Sequence, residues 1–172
     1  MTPGLSYREV IQPTEQELRE LAGLLVDVVA DGASVGFLPP LAWEEAYAYW
    51  ASVTGEQVVV WVAANENGIV GTVQLHLAER PNGRHRAEIA KLMVHPSAQR
   101  QGIGRTLMLL AQARALAENR SLLVLDTRAE DPSNRLYQAM GYQEGGRIPH
   151  YAMSADGSLH DTVIYYKLIV SQ

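Results

Sequence analysis

The stretch Val94-His95-Pro96-Ser97-Ala98-Gln99-Arg100-Gln101-Gly102-Ile103-Gly104-Arg105-Thr106-Leu107 joins an extended apolar segment, Ala87 to Val94, to the start of an amphipathic helix. Gly102 and Gly104 stand one residue apart at the junction. A helix start carries unpaired backbone N–H groups and a partial positive charge. Glycine leaves those groups open to a ligand, and Arg100 and Arg105 add full positive charge on either side. The stretch reads as strand, phosphate or pyrophosphate loop, helix.

Three phosphate loops compete for it. The Walker loop needs a lysine after its second glycine, and Arg105 follows Gly104. The dinucleotide fingerprint needs a third glycine at 107, where Leu107 stands, and an acidic residue about 20 residues further on in an early strand-helix-strand unit. The third pattern, Gln/Arg-x-x-Gly-x-Gly/Ala, is met by Gln99, Gly102 and Gly104. A glycine-rich turn that merely starts a helix is the competing structural reading.

Composition sets the outer bounds. At 172 residues the chain is expected to be one domain, 1–172, large enough for a substantial core. The hydrophobic share of 47% is that of a globular protein. A net charge of −5 does not favour nucleic acid or an anionic membrane, and weakly favours a cationic substrate. The chain has no cysteine, which excludes disulfides, thiolate metal sites and a thiol nucleophile. His76, His85, His95, His150 and His160 show no metal-ligand spacing, so no metal is expected. Met1-Thr2-Pro3-Gly4 does not open a signal peptide and no apolar run is long enough to span a membrane, so a cytoplasmic location is expected.

Periodicity orders the elements. Tyr7–Ile11 reads as a strand. Thr14-x-x-Glu17 is a capping box before a helix with Leu18, Leu21, Leu25 and Val28 on one face. A second helix follows Pro39-Pro40, with Trp43, Ala46, Tyr47 and Trp50 on one side. Gln57–Ala64 and Ile69–Leu77 form a hairpin through Asn67-Gly68. Arg86–Val94 is the next strand and Gly104 to about Glu118 the helix after the glycines. Leu122–Asp126 is a short strand and Ser133–Met140 a short helix. Tyr142–Arg147 and Val163–Leu168 are the last strand pair, separated by Asp156-Gly157. The order β-α-α-β-β-β-α-β-α-β-β predicts an α/β fold with a mixed sheet.

That order, with the Gln99 loop after the fourth strand, resembles the GNAT acetyltransferase superfamily from end to end. Gly32-Ala33-Ser34-Val35-Gly36-Phe37, Arg86-Ala87-Glu88, Lys91-Leu92-Met93-Val94, Leu125-Asp126-Thr127, Leu159-His160 and Ile164-Tyr165 resemble more closely the tabtoxin-resistance acetyltransferases, which inactivate an amine-bearing β-lactam toxin. The resemblance implies acetyl-CoA as cosubstrate. It gives the pyrophosphate to Gln99, Arg100, Gln101, Gly102, Ile103, Gly104, Arg105 and Thr106, and the pantetheine arm to backbone groups of Leu92, Met93 and Val94.

With no cysteine, direct transfer in a ternary complex is the expected mechanism. Tyr137 lies in Leu136-Tyr137-Gln138-Ala139-Met140-Gly141-Tyr142, which resembles the superfamily segment whose first tyrosine reaches the sulfur of coenzyme A. A phenol with a pKa near ~10 can protonate the leaving thiolate. A core tyrosine with a capped hydroxyl is its alternative. The family pattern departs here, with Glu130 where asparagine is usual and Ser133 where alanine is usual. Asp126 ends the apolar run Leu122–Leu125, an unusual place for a carboxylate without a partner or a function. By resemblance it is an active-site residue; otherwise it caps the next helix or pairs with Arg128. Glu88 shares a face with Ala90, Leu92 and Val94 on a strict period of two, and resembles the superfamily's basic carboxylate on that strand. Otherwise it pairs with Lys91 or Arg86, and Lys91 itself reads as a structural ion pair.

Gly32, Ser34, Phe37 and Trp43 are expected to border the acceptor pocket, and Tyr151 to cover it from the last strand connection. Trp50 reads as core. The expected activity is transfer of acetyl from acetyl-CoA to a primary amine of a small molecule, a β-lactam or amino-acid-like toxin by the closer resemblance. Acetylation of a lysine in a protein or peptide, and acyl-CoA sensing without turnover, stay open beside it, as do monomer and homodimer.

Overall fold

The computed structural model describes residues 4–170. Residues 1–3, on which the expected lack of a signal peptide rests, and 171–172, the end of the expected single domain, lie outside the described residues. The elements are β1 (Ser6–Val10), α1 (Glu15–Ala30), α2 (Trp43–Val53), β2 (Val58–Asn65), β3 (Gly68–Leu77), β4 (Arg86–Val94), α3 (Ile103–Ala117), β5 (Leu122–Arg128), α4 (Ser133–Ala139), β6 (Gln143–Met153) and β7 (Leu159–Leu168). Their order is the predicted one.

Local chemistry accounts for most boundaries. The Thr14 box forms in full: Glu17 N–H donates to Thr14 Oγ1 at 3.2 Å and Thr14 N–H to Glu17 Oε2 at 2.7 Å. The last strands run longer than expected. The expected strand ending at Arg147 continues through Pro149 to Met153. β6 is the edge strand, and a register shift between Ile148 and Ala152 accommodates the missing proline N–H.

The seven strands form one sheet in the order β1-β2-β3-β4-β5-β7-β6. Neighbours are antiparallel except β4 and β5, which run parallel. That pairing covers only Arg86, Glu88 and Ala87 against Leu122, Val124 and Leu123; beyond it the strands part. A cleft opens between the ends of β4 and β5, at the carboxyl ends of parallel strands where α/β sheets bind ligands.

A bulge in β4 adds to the cleft. Gln74 pairs with Ala90 and Thr72 with Met93, so Lys91 and Leu92 together oppose Val73. Lys91 takes the left-handed φ of 51° there. The extra residue inverts the alternation of the strand. Ala87 and Ile89 pack with α3 and α4, whereas Met93 packs with α1 and α2. Leu92 and Val94 therefore lie on the α3 face, opposite Glu88. The expectation that Glu88, Leu92 and Val94 share one face fails because a strict period of two holds only while pairing is regular.

Two apolar layers cover the sheet. Leu107, Met108, Ala111 and Ala115 of α3 press on one face, and Leu21, Leu25, Val29 and Trp50 of α1 and α2 on the other. Gly71 on β3 lets α3 approach: a β-carbon there would stand 2.9 Å from Ile103 Cγ2 and 3.3 Å from Leu107 Cδ1. Gly71→Ala should cost about 1–3 kcal/mol by overpacking against a stiff branched side chain. Because Ile103 opens α3, the same variant should weaken acetyl-CoA binding. Thermal unfolding and a coenzyme titration check both effects. Among the described residues no helix is long and apolar enough to cross a membrane.

Candidate active site

The candidate phosphate loop comes from the exit of β4. Arg100 and Gly102 both take left-handed conformations, φ 61° and 79°, and bend the chain into the first turn of α3. Alternating handedness of this kind turns successive N–H groups to one side, a concavity that suits anions. Thr106 N–H makes the first helical bond, to Gly102 O at 3.0 Å, and its hydroxyl lies 3.2 Å from the same carbonyl. Ile103, Gly104 and Arg105 N–H find no acceptor among the described residues. Arg100, Gln101 and Arg105 are exposed around them. Donors, glycine conformation and cations fit a pyrophosphate. The side chains of Ile103 and Met93 are buried in the core, so only their backbone faces a ligand. Gln99 is exposed, with Nε2 3.4 Å from Val94 O. A β-carbon on Gly104 would face Leu136, Val94 and Leu92 at 3.5 to 4.0 Å, so glycine there keeps open the space beside the cleft.

Tyr137 approaches from α4 on the α3 face. It is 6% exposed, with Tyr142 and Tyr165 rings centred 6.0 Å and 5.8 Å away. Burial pushes its phenol well above the usual value; a Ser133 hydrogen bond acts the other way, and the charges of Asp131 and Asp126 add to the rise. The hydroxyl stays protonated at any working pH, as a proton donor requires.

The departures from the family pattern near α4 are absorbed locally. Asn134 Nδ2 donates to the carbonyls of Arg128, Ala129 and Asp131 at 2.9, 3.2 and 2.7 Å and fixes the β5–α4 loop. Tyr165 donates to Asn134 Oδ1 at 2.8 Å. Ser133 Oγ lies 3.1 Å from Thr127 Oγ1, and Glu130 pairs with His160 at 3.4 Å.

On the opposite side a cavity of about 200 Å³ is lined by Glu88, Val124, Leu125, Asp126, Ile148, Tyr151, Thr162 and Ile164. Asp126 lines it from within β5, which runs two residues further, to Arg128, than the expected strand Leu122–Asp126. Its Oδ2 lies 3.2 Å from Thr162 Oγ1, which is also 3.0 Å from Thr127 O. Asp126 neither caps α4, a task done by Asp131 Oδ1 on Ser133 N–H at 2.9 Å, nor pairs with Arg128, which reaches Gly32 O at 3.4 Å. Glu88 lies beside His76 in the β3–β4 register and makes no ion pair with Lys91 or Arg86. Burial lowers the His76 pKa, Glu88 opposes that and Lys91 adds to it, so these groups sense one another.

Glu88, Asp126 and Tyr151 are thus brought to one cavity, with Tyr137 near enough to feel the Asp126 charge. The Gly32–Phe37 segment runs alongside: Gly32 O meets Arg128, a β-carbon on Gly36 would lie 3.6 Å from Lys91 Nζ, and Phe37 packs edge-on to Tyr49 at 5.3 Å. Gly32, Ser34 and Phe37 line no part of the cavity. Trp43 does not border it either: its ring stacks on Tyr47 at 5.2 Å beneath Arg19 of α1 at 5.8 Å. An aromatic at the first turn of α2 faces the first turns of the antiparallel α1, which sequence spacing alone does not reveal. Trp50 is fully buried, as expected. Sequence reasoning missed Thr162, Ile148, Ile164 and Tyr49. The first three become neighbours only through the β5-β7-β6 order, while Tyr49 carried a legible signal as a half-buried tyrosine one residue off the core face of α2.

Residues 56–144 match the family model of the acetyltransferase (GNAT) domain. The chain belongs to the GNAT acetyltransferase family. It is an acetyl-CoA-dependent N-acetyltransferase. Solved structures share the fold across nearly the whole chain. The yncA acetyltransferase from Salmonella typhimurium, solved with its cofactor acetyl-CoA, is 15% identical with a TM-score of 0.80, over 98% of this chain and 96% of that one. A structure named as a phosphinothricin N-acetyltransferase is 21% identical, TM-score 0.81, over 97% and 99%. A ribosomal-protein-alanine N-acetyltransferase from Brucella melitensis is 20% identical, TM-score 0.79, over 95% and 99%. At these identities the GNAT fold is what they have in common with this enzyme.

Proposed function

We propose that this GNAT enzyme, a single domain, acetylates the primary amine of a small amino-acid-like molecule by direct transfer in a ternary complex, and that the acceptor is a toxin or antibiotic of the kind met by tabtoxin-resistance acetyltransferases. The cavity beside the cleft carries this reading. At about 200 Å³ it is smaller than the usual pocket for a drug-sized ligand, and it offers two carboxylates among apolar walls. That is room for an amino acid and a place for an ammonium group. One structural relative is named for phosphinothricin and another for a ribosomal-protein alanine, so the shared fold serves acceptors of both sizes.

The residues divide the work as follows. Ile103, Gly104 and Arg105 N–H, with Arg100 and Arg105 side chains, hold the pyrophosphate. Leu92, Met93 and Val94 offer the backbone of β4 to the pantetheine arm. Asp126, with Glu88 beside it, takes a proton from the ammonium group, directly or through water. The amine nitrogen then attacks the thioester carbon, the C–S bond breaks, Tyr137 gives its proton to the departing thiolate sulfur, and the second proton of the attacking nitrogen passes to water, from which Tyr137 is reprotonated. Oppositely placed base and acid suit two proton transfers at opposite ends of one displacement.

The test is incubation with acetyl-CoA and an amine panel: tabtoxinine-β-lactam, amino acids, polyamines, aminoglycosides and a lysine peptide, read by mass spectrometry. Acetylation of the β-lactam or the amino acids is the expected result. Acetylation of the peptide alone sinks the proposal and moves the function to protein modification.

A further inference from the structure

Lys91 is a charge without a partner. It stands at the β4 bulge with φ 51°, a conformation that costs a long side chain energy and is held only when its surroundings insist on it. The bulge re-aims the side chain out of the alternation of β4. Its Nζ lies 5.9 Å from the centre of the Tyr49 ring, and 3.6 Å from where a β-carbon on Gly36 would stand. Phe37, edge-on to Tyr49, and Tyr49 Oη, 3.0 Å from Gln74 Nε2, hold that ring in place.

The ion pair expected from sequence does not form. Among the described residues Lys91 makes no hydrogen bond and no ion pair within 4.0 Å. Lys91 does not itself line the acceptor cavity, but Asp126 and Glu88 do, and their charges reach Lys91 from that wall. Burial holds its ammonium below the usual lysine pKa, and the two carboxylates only partly offset that. A half-buried cation without a direct counterion is costly, and an anion arriving with a ligand removes the cost.

We infer that Lys91 binds the carboxylate of the acceptor, so that the substrate class is an α-amino acid, or an amine with a carboxylate close to the nitrogen, and not a simple amine, a polyamine or a lysine side chain. This rests on the acceptor-cavity reading above. A zwitterion matches the arrangement at both poles: its ammonium faces Asp126 and Glu88, and its carboxylate faces Lys91 instead of meeting two like charges. The side chain of a peptide lysine has no such anion beside its nitrogen, and a polyamine would set a second cation against Lys91.

The experiment compares L-methionine with L-methioninamide, which share a side chain that suits the apolar walls; kcat/KM is referred to the free-amine concentration, because the amide also lowers the pKa of the amine. Wild type, Lys91→Gln and Lys91→Arg are assayed with saturating acetyl-CoA. Wild type should prefer the acid by about tenfold or more in kcat/KM, the usual worth of a charge-assisted contact. Lys91→Gln should lose that preference through a higher KM for methionine while changing the amide by less than about twofold, and Lys91→Arg should restore part of it. Melting curves check that both variants are folded. An equal fall for both substrates in Lys91→Gln, or turnover by wild type without preference for the acid, overturns the assignment of Lys91 and leaves the small-amine reading standing. No turnover of any amine, with acetyl-CoA binding intact, overturns both.

Discussion

Tyr137→Phe should lower kcat by about 10²–10³-fold, the range for removing a positioned general acid, with acetyl-CoA affinity little changed. The substitution deletes one oxygen from a side chain that is 6% exposed and keeps the ring contacts with Tyr142 and Tyr165, so the fold should survive. What is lost is the proton for the thiolate. Single-turnover release of free thiol, followed alongside coenzyme affinity, separates this outcome from a binding defect. Unchanged turnover at saturating substrate would show that Tyr137 is only core. The raised phenol pKa makes a second, linked expectation. A group whose folded pKa lies above its unfolded value stabilises the fold fully below the unfolded pKa, ~10 for tyrosine, and loses that contribution as pH climbs beyond it. The wild-type activity profile should therefore show no alkaline fall from Tyr137 below about pH 10.

Asp126→Asn should reduce kcat/KM by about 10²–10⁴-fold at neutral pH, since a primary amine is then almost wholly protonated and cannot attack until a base takes its proton. Asparagine keeps the size of the side chain and an acceptor oxygen for Thr162, 3.2 Å away in the wild type, so the end of β5 should stay in place. The variant then depends on free amine from solution. Its kcat/KM should climb about tenfold per pH unit between neutrality and the amine pKa. Glu88→Gln in the same assay divides the role: a smaller loss with an unaltered pH profile leaves Asp126 as the base. If Asp126→Asn is as active as wild type and Glu88→Gln is not, the assignment reverses.

The residues proposed for the chemistry come from both faces of the sheet. Tyr137 and the phosphate loop belong to the face covered by α3 and α4; Glu88, Asp126 and the cavity belong to the other. The two meet because β4 and β5 pair over only three residues each and then separate. Through that gap a cosubstrate bound on one side can present its reacting end to an acceptor on the other.

Local rules made much of this legible in the chain. The Thr14 and Glu17 box, the Asn67-Gly68 turn and the helix periodicities rest on interactions between residues a few positions apart, and these hold whatever the chain does elsewhere. The element order followed from them, and Gly102 could be singled out because glycine leaves the N–H groups of a helix start open; its left-handed φ of 79° came only with the structure. The bulge at Lys91 is different. It exists because β3 offers one residue where β4 offers two, and a single strand carries no record of its partner's register. The same holds for Thr162 beside Asp126 and for Ile148 and Ile164 on the cavity wall, which sit together through strand pairings across tens of residues. Near-neighbour patterning thus specified the elements and their sequence, along with the glycine turn that opens α3. Which faces Glu88, Lys91 and Trp43 present, and how far β4 stands from β5, depended on pairing and packing between distant segments, whose energies no short window of residues contains.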